Sequence, residues 1–65
     1  MIGETLKKLR KEKKLSQTEI AKILGIPQRT YSDYETNKSE PKLDTLIKIA
    51  ELYQTSTDYL LGRYK

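Results

Sequence analysis

The sequence predicts an all-α fold, a compact bundle of five short helices, on three observations. Apolar residues recur at helical rather than strand spacing along the whole chain. Helix-capping and turn-forming residues interrupt that pattern at short intervals. The 65 residues include no Cys and no His, so neither disulfides nor a Cys–His zinc site can staple the chain. A small scaffold without such staples relies on tidy helix packing, on oligomerisation, or on both. Residues 1–65 are expected to form one domain, which buries only ~60% of its unfolded surface. Hydrophobic residues at 35% and charged residues at 34% still support a folded domain rather than a disordered one.

The first helix is predicted from Ile2 to Lys13. Ile2, Leu6, Leu9 and the stem of Lys13 form one stripe, Leu15 closes the segment, and Lys7, Lys8 and Lys11 point outward. Ser16-Gln17-Thr18-Glu19 then opens a second helix with a capping-box signature. Ile20, Ala21, Ile23 and Leu24 supply its apolar face, and Gly25 ends it as a residue able to take positive φ. Only Gly25, Ile26 and Pro27 separate it from a third helix, which runs from Pro27 or Gln28 to Thr36 with Asn37 just past its end. The loop from Asn37 to Pro41 is full of turn formers. A fourth helix follows from Leu43 to Tyr53, with Leu43, Leu46, Ile47, Ala50 and Tyr53 inward and Ile49 and Leu52 widening that face. Ser56 caps a fifth, through Leu61, with Asp58 favourable in its first turn and Gly62 as its stop.

Composition narrows the chemistry. Without His there is no imidazole base, without Cys no thiolate nucleophile, and so small a domain has little room for a substrate pocket. Catalysis, a metal and a small-molecule cofactor are therefore not expected. No apolar run approaches the ~18 residues of a membrane span. The start, MIGETLKK, lacks a signal-peptide core, so a cytoplasmic location is expected. The net charge of +4 is unevenly spread. Residues 1–15 hold six basic and two acidic side chains, whereas residues 16–65 hold seven of each. A basic cluster suits nucleic acid or an acidic membrane surface, and it suits a solvated helix face equally well.

Two short helices joined by a three-residue turn containing glycine form a helix-turn-helix pattern. On a wheel of ~100° per residue, Gln28, Ser32, Thr36, Arg29 and Asp33 fall within about 140°. Tyr31 and Tyr34 lie on the opposite side, with Pro27 and Thr30. The polar arc suits a DNA major groove: Gln matches the adenine edge, Arg the guanine edge, Asp accepts from cytosine, and Ser fits either. Gln28, Arg29, Ser32 and Asp33 are thus the candidate base-reading residues. The competing reading is a solvated face on which Arg29 and Asp33 form an i,i+4 ion pair. Behind a capped short helix and a glycine turn, the groove reading is the expected one. The N-terminus of the second helix presents unpaired amides, a natural phosphate site, with Lys13 and Lys14 just before it.

The stretch Ser16-Gln17-x-x-Ile20-Ala21-x-x-Leu24-Gly25-Ile26-x-x-x-x-Tyr31-x-x-Tyr34-Glu35 resembles the phage repressor/Cro-type (XRE) helix-turn-helix family. The resemblance extends from Leu6-x-x-Leu9-Arg10 to Asp58-x-Leu60-Leu61 and implies a lambda-repressor-like DNA-binding domain. Ala21 is small enough for two helices to cross closely, and Gly25 suits the turn. By resemblance Arg10 pairs with Glu35, bracing the third helix near the DNA backbone, and counts with Lys13 and Lys14 among the expected phosphate contacts. Gln17 matches the family's phosphate-contacting position, and Asn37 and Lys38 match its second backbone clamp, which Lys42 can join. Tyr31 and Tyr34 occupy positions usually aliphatic in the family; packing is the expected role, with phosphate bonding through a hydroxyl as the alternative. Gln54 stands where Gly or Asn is common, so that helix end is expected to be strained or differently shaped, and Lys42 replaces the usual Ser-like cap before the fourth helix.

These features imply a sequence-specific double-stranded DNA-binding transcriptional regulator, expected to be a repressor of bacterial or phage origin. A homodimer on palindromic half-sites about one helical turn, ~34 Å, apart is the expected assembly. Tyr53, Gln54, Thr55, Tyr59, Arg63 and Tyr64 are its expected interface. The alternative is an antitoxin- or antirepressor-like module that uses the same fold against a protein.

Overall fold

Each helix start and stop follows from local chemistry. The computed structural model describes residues 2–62, in which five helices follow one another: α1 (Ile2–Glu12), α2 (Gln17–Leu24), α3 (Gln28–Glu35), α4 (Leu43–Leu52) and α5 (Thr57–Leu61). The capping box at α2 is complete. Ser16 Oγ accepts the Glu19 amide at 3.1 Å and the Glu19 carboxylate accepts the Ser16 amide at 2.9 Å. Those two bonds, the backbone one first, hold the Glu19 carboxyl below its ordinary range. Gly25 ends α2 at φ 72°, which sends the chain directly into the turn before α3. Ser56 caps α5 by accepting the Tyr59 amide at 3.0 Å. Lys42 begins α4 without a side-chain cap. None of the helices in the described residues is long and apolar enough to cross a membrane.

α3 packs on α1 and α2, while α5 packs on α1 and α4, so the third helix sits at one edge with its outer face open. The core is built from Ile2, Leu6, Ile20, Ala21, Leu24, Tyr31, Tyr34, Leu46, Ile49, Ala50, Tyr53 and Leu60. Leu9, Leu15, Ile26 and Leu52 pack against it from the rim. Several residues expected inside are outside. Lys13 lies beyond the end of α1 and is exposed, so its stem does not extend the stripe. Ile23 is 58% exposed because it lies about 110° from the centre of the arc that carries Ile20, Ala21 and Leu24. Leu43 and Ile47, 70% and 45% exposed, lie on the flank of the Leu46–Ile49–Ala50–Tyr53 stripe, where no helix covers them. Leu61 at the end of α5 is half-exposed too, and it lines a cleft of about 170 Å³ with Ile2, Pro41 and Leu46.

Three helices end on a side-chain-bearing residue in the left-handed region: Lys14 (φ 59°) after α1, Asn37 (φ 63°) after α3 and Gln54 (φ 54°) after α4. Gln54 thus meets the expectation of strain. That conformation costs a non-glycine residue about 1–2 kcal/mol, and glycine's greater freedom when unfolded returns up to about 1 kcal/mol. Gln54→Gly is therefore expected to stabilise the domain by about 0.5–1 kcal/mol, read as a higher urea midpoint. An unchanged or lower midpoint contradicts the strain argument.

Candidate nucleic-acid interface

Arg10 organises the approach to α2. Its Nη1 donates to the Leu15 carbonyl at 2.9 Å, closing the turn that carries exposed Lys13 and Lys14 to the start of α2. The first amides of α2 lie beside these lysines and have no intrahelical partner. The other edge of Arg10 grips α3: Nε donates to Glu35 Oε2 at 2.7 Å and Nη2 to Oε1 at 3.4 Å. Three of the five guanidinium N–H groups of Arg10 are thus committed within the protein, which makes it a brace, and one N–H on each Nη remains.

The two faces of α3 divide as the wheel requires. Gln28 and Arg29 are exposed, Ser32 and Asp33 are half-buried, and Tyr31, Tyr34 and Glu35 are buried. No ion pair joins Arg29 to Asp33, so the competing reading of a self-paired face does not hold in this structure. Thr36 leaves the arc. It caps the helix, and its hydroxyl turns back to the Ser32 and Asp33 carbonyls at 3.1 and 3.3 Å. Beyond it, the Lys38 amide bonds the Asp33 carbonyl at 2.9 Å, holding exposed Lys38 at the C-terminal end of α3. Asn37 was expected to face phosphate, yet its Oδ1 accepts the Gly3 amide of α1 at 3.0 Å.

A continuous polar relay runs from the core to the exposed face. Glu35 is 7% exposed, and its Oε1 accepts Gln17 Nε2 at 3.0 Å. Gln17 Oε1 in turn accepts Gln28 Nε2 at 2.9 Å. On the inner side the Tyr31 hydroxyl lies 2.8 Å from the Tyr53 hydroxyl, on the side of Glu35 away from Gln17. Either of the two hydroxyls can be the donor in that pair. Burial, then the bond to Tyr53, push the Tyr31 phenol well above its ordinary value, and burial raises Tyr53 as well. Burial also works to raise Glu35, but the bonds from Arg10 and Gln17 outweigh it and keep the carboxyl below its ordinary range. The Tyr31 and Tyr34 rings pack edge to face, with centroids 6.4 Å apart. Tyr31 is thus a packing residue with a buried hydroxyl partner, not a phosphate ligand.

A helix-turn-helix family model matches residues 6–60. The chain belongs to the phage repressor/Cro-type (XRE) helix-turn-helix family. This XRE domain is 48% identical over 61 residues to the SPbeta prophage-derived uncharacterized HTH-type transcriptional regulator YonR of Bacillus subtilis, covering 94% of this chain and 56% of that protein. It is 31% identical over 61 residues to repressor protein C2 of Salmonella phage P22, covering 94% of this chain and 28% of that protein. The crystal structure of the P22 c2 repressor in complex with a synthetic operator superposes with a TM-score of 0.92 at 30% identity, covering 98% of this chain and 97% of that one. A transcriptional regulator from Listeria innocua gives 0.91 at 31% identity, covering 100% of this chain and 61% of that one. The XRE domain spans about half the length of the Bacillus relatives it matches.

Within the XRE domain, the Arg10–Glu35 pair, the packing of Ala21, Tyr31 and Tyr34 and the left-handed turn at Gly25 stand where the resemblance put them. The links from Gln17 to Glu35 and to Gln28 were not foreseen, nor was the Tyr31–Tyr53 hydroxyl pair. Gly3 was missed entirely. It is buried against the end of α3, and only the glycine itself, in the first turn of an otherwise strong helix, hinted at a close approach. Tyr53 is 5% exposed and belongs to the core, so it is not available to the expected dimer surface; Arg63 and Tyr64 lie outside the described residues.

Proposed function

We propose that this XRE-family domain is a sequence-specific double-stranded DNA-binding transcriptional regulator, acting as a repressor. The observation that carries the reading is the open arc of Gln28, Arg29, Ser32 and Asp33 on α3, set beside the N-terminus of α2 and its lysines. In this reading α3 enters the major groove, its N-terminal residues deepest. Gln17, Lys13 and Lys14 grip one stretch of backbone, and Lys38, with the amide end of Asn37, grips the other. Its action is binding rather than catalysis, in the cytoplasm and on the nucleoid. The names of its relatives, regulators and repressors, favour this over an antitoxin-like role.

The proposed assembly is a homodimer on inverted half-sites. Its contact face is Leu43, Ile47 and Leu61, in place of the expected one around Tyr53. On inverted half-sites the two α3 helices would enter major grooves about one turn of DNA, ~34 Å, apart. Selection from random duplexes tests both points. Enrichment of two inverted half-sites one turn apart supports them, single half-sites remove the dimer, and no enrichment removes the function.

Arg29→Ala is expected to cost about 1–3 kcal/mol at one base pair and to relax specificity there. Lys38→Ala should weaken all sequences alike and reduce the salt slope of binding by about one. Titrations at several salt concentrations separate the two, and identical behaviour contradicts the division between reading and clamping residues.

A further inference from the structure

The relay beneath α3 has a direction. A carboxylate offers only acceptors, whereas an amide side chain has one accepting and one donating end. Glu35 Oε2 is occupied by Arg10 Nε at 2.7 Å, and Oε1 takes Gln17 Nε2 at 3.0 Å. Gln17 must therefore turn its nitrogen inward and its oxygen outward. Gln28 can meet that oxygen only with its own Nε2, which it does at 2.9 Å. Inverting either amide sets like ends against each other and breaks the chain. Gln28 is left with Oε1 and its second Nε2–H to offer outward, in one order and not the reverse.

We propose that Glu35, buried and out of reach of DNA, sets the orientation in which Gln28 presents its amide to a base, and is thereby a specificity-determining positioning residue. This rests on the reading of α3 as the base-reading helix. A bidentate match to the adenine edge needs the amide oxygen beside N6 and the nitrogen beside N7. An amide free to invert loses that match half the time and tolerates bases with acceptors at the same place.

The test is base preference, measured with duplexes carrying each of the four bases at every half-site position. The position read by Gln28 is the one whose discrimination collapses in Gln28→Ala. Glu35→Gln replaces an obligate acceptor by a group that can present either end. It is expected to reduce discrimination at that position by at least about two-fold, the factor lost when the amide samples both orientations, while sparing the position read by Arg29. Gln17→Met, which deletes the link, should do the same, and Tyr31→Phe, which keeps the carboxylate, should retain the preference. Wild-type preference in Glu35→Gln overturns the proposal, as does equal erosion at every position, which marks a merely structural role. The side-chain amide protons of Gln28 in the free protein give a reading that needs no DNA. Their resonances should move to ordinary glutamine values in Gln17→Met and Glu35→Gln, and unchanged resonances overturn the proposal even where Glu35→Gln is too unstable for binding work. A wild-type protein that selects no sequence removes the regulator reading itself, whereas a selective one with an unmoved Glu35→Gln preference removes only the relay.

Discussion

Arg10→Ala is expected to cost about 3 kcal/mol of folding stability. Its partner Glu35 has a side chain only 2% exposed, and removing one member of a buried pair strands the other charge, at about 3–5 kcal/mol. Water reaches Arg10, 15% exposed, which places the effect at the low end. The Leu15 carbonyl loses its donor at the same time. A domain of this size without staples holds only about 3–5 kcal/mol in all, so the variant should keep at most about 2 kcal/mol. Replacing both partners by apolar residues, Arg10→Met with Glu35→Leu, should restore most of the loss, because no charge is then stranded. Urea midpoints of the three proteins decide this, and a single variant as stable as wild type contradicts it.

Acidity tests the same pair. The carboxyl of Glu35 is held below its ordinary 4.5, so its contribution is complete above that value and is lost as pH falls through the lower, folded-state one. Glu19 acts in the same direction at the start of α2. Wild type should therefore lose more stability between about pH 5 and pH 3 than the double apolar variant, which keeps Glu19 but not Glu35. Equal losses would assign the acid sensitivity elsewhere.

Gly3→Ala should destabilise by about 2 kcal/mol, the reverse of its ordinary effect. In an open helix the change gains about 1 kcal/mol of propensity. Here the new Cβ would collide with the Glu35 carbonyl oxygen and stand 2.9 Å from Asn37 Oδ1. The first of these is backbone and cannot swing aside, so the start of α1 must lift off the end of α3, an overpacking penalty of about 3 kcal/mol. The melting temperature should fall by about 10 °C. A rise would show that the two helix ends are not locked together.

The helices were legible because their signals are local. Ser16 with Glu19, Gly25, and Ser56 each act within a few residues, and each lies where its chemistry requires. The width of an apolar face is a different matter. Leu43, Ile47 and Ile23 fit a helical period, but only the neighbouring helices decide which part of that arc is covered. Arg10 and Glu35, 25 residues apart, were paired by resemblance and not by any local pattern. Gln17 and Gln28 were both named for the site, yet the bond between them depends on how α2 and α3 cross. Gly3 was invisible for the same reason: nothing beside it in the chain announces the carbonyl that approaches from α3.

Of the three left-handed helix ends without glycine, Lys14 carries a cation beside the first turn of α2, and Asn37 holds α1 to α3. Glycine at either position would relieve the backbone and delete a side chain with a task. Gln54 has no such task in the structure. An engineer seeking a hardier version of this domain therefore has one inexpensive position among the three, and a survey of tolerated substitutions should show the contrast: glycine enriched at 54, rejected at 37, and accepted at 14 only where DNA is not required.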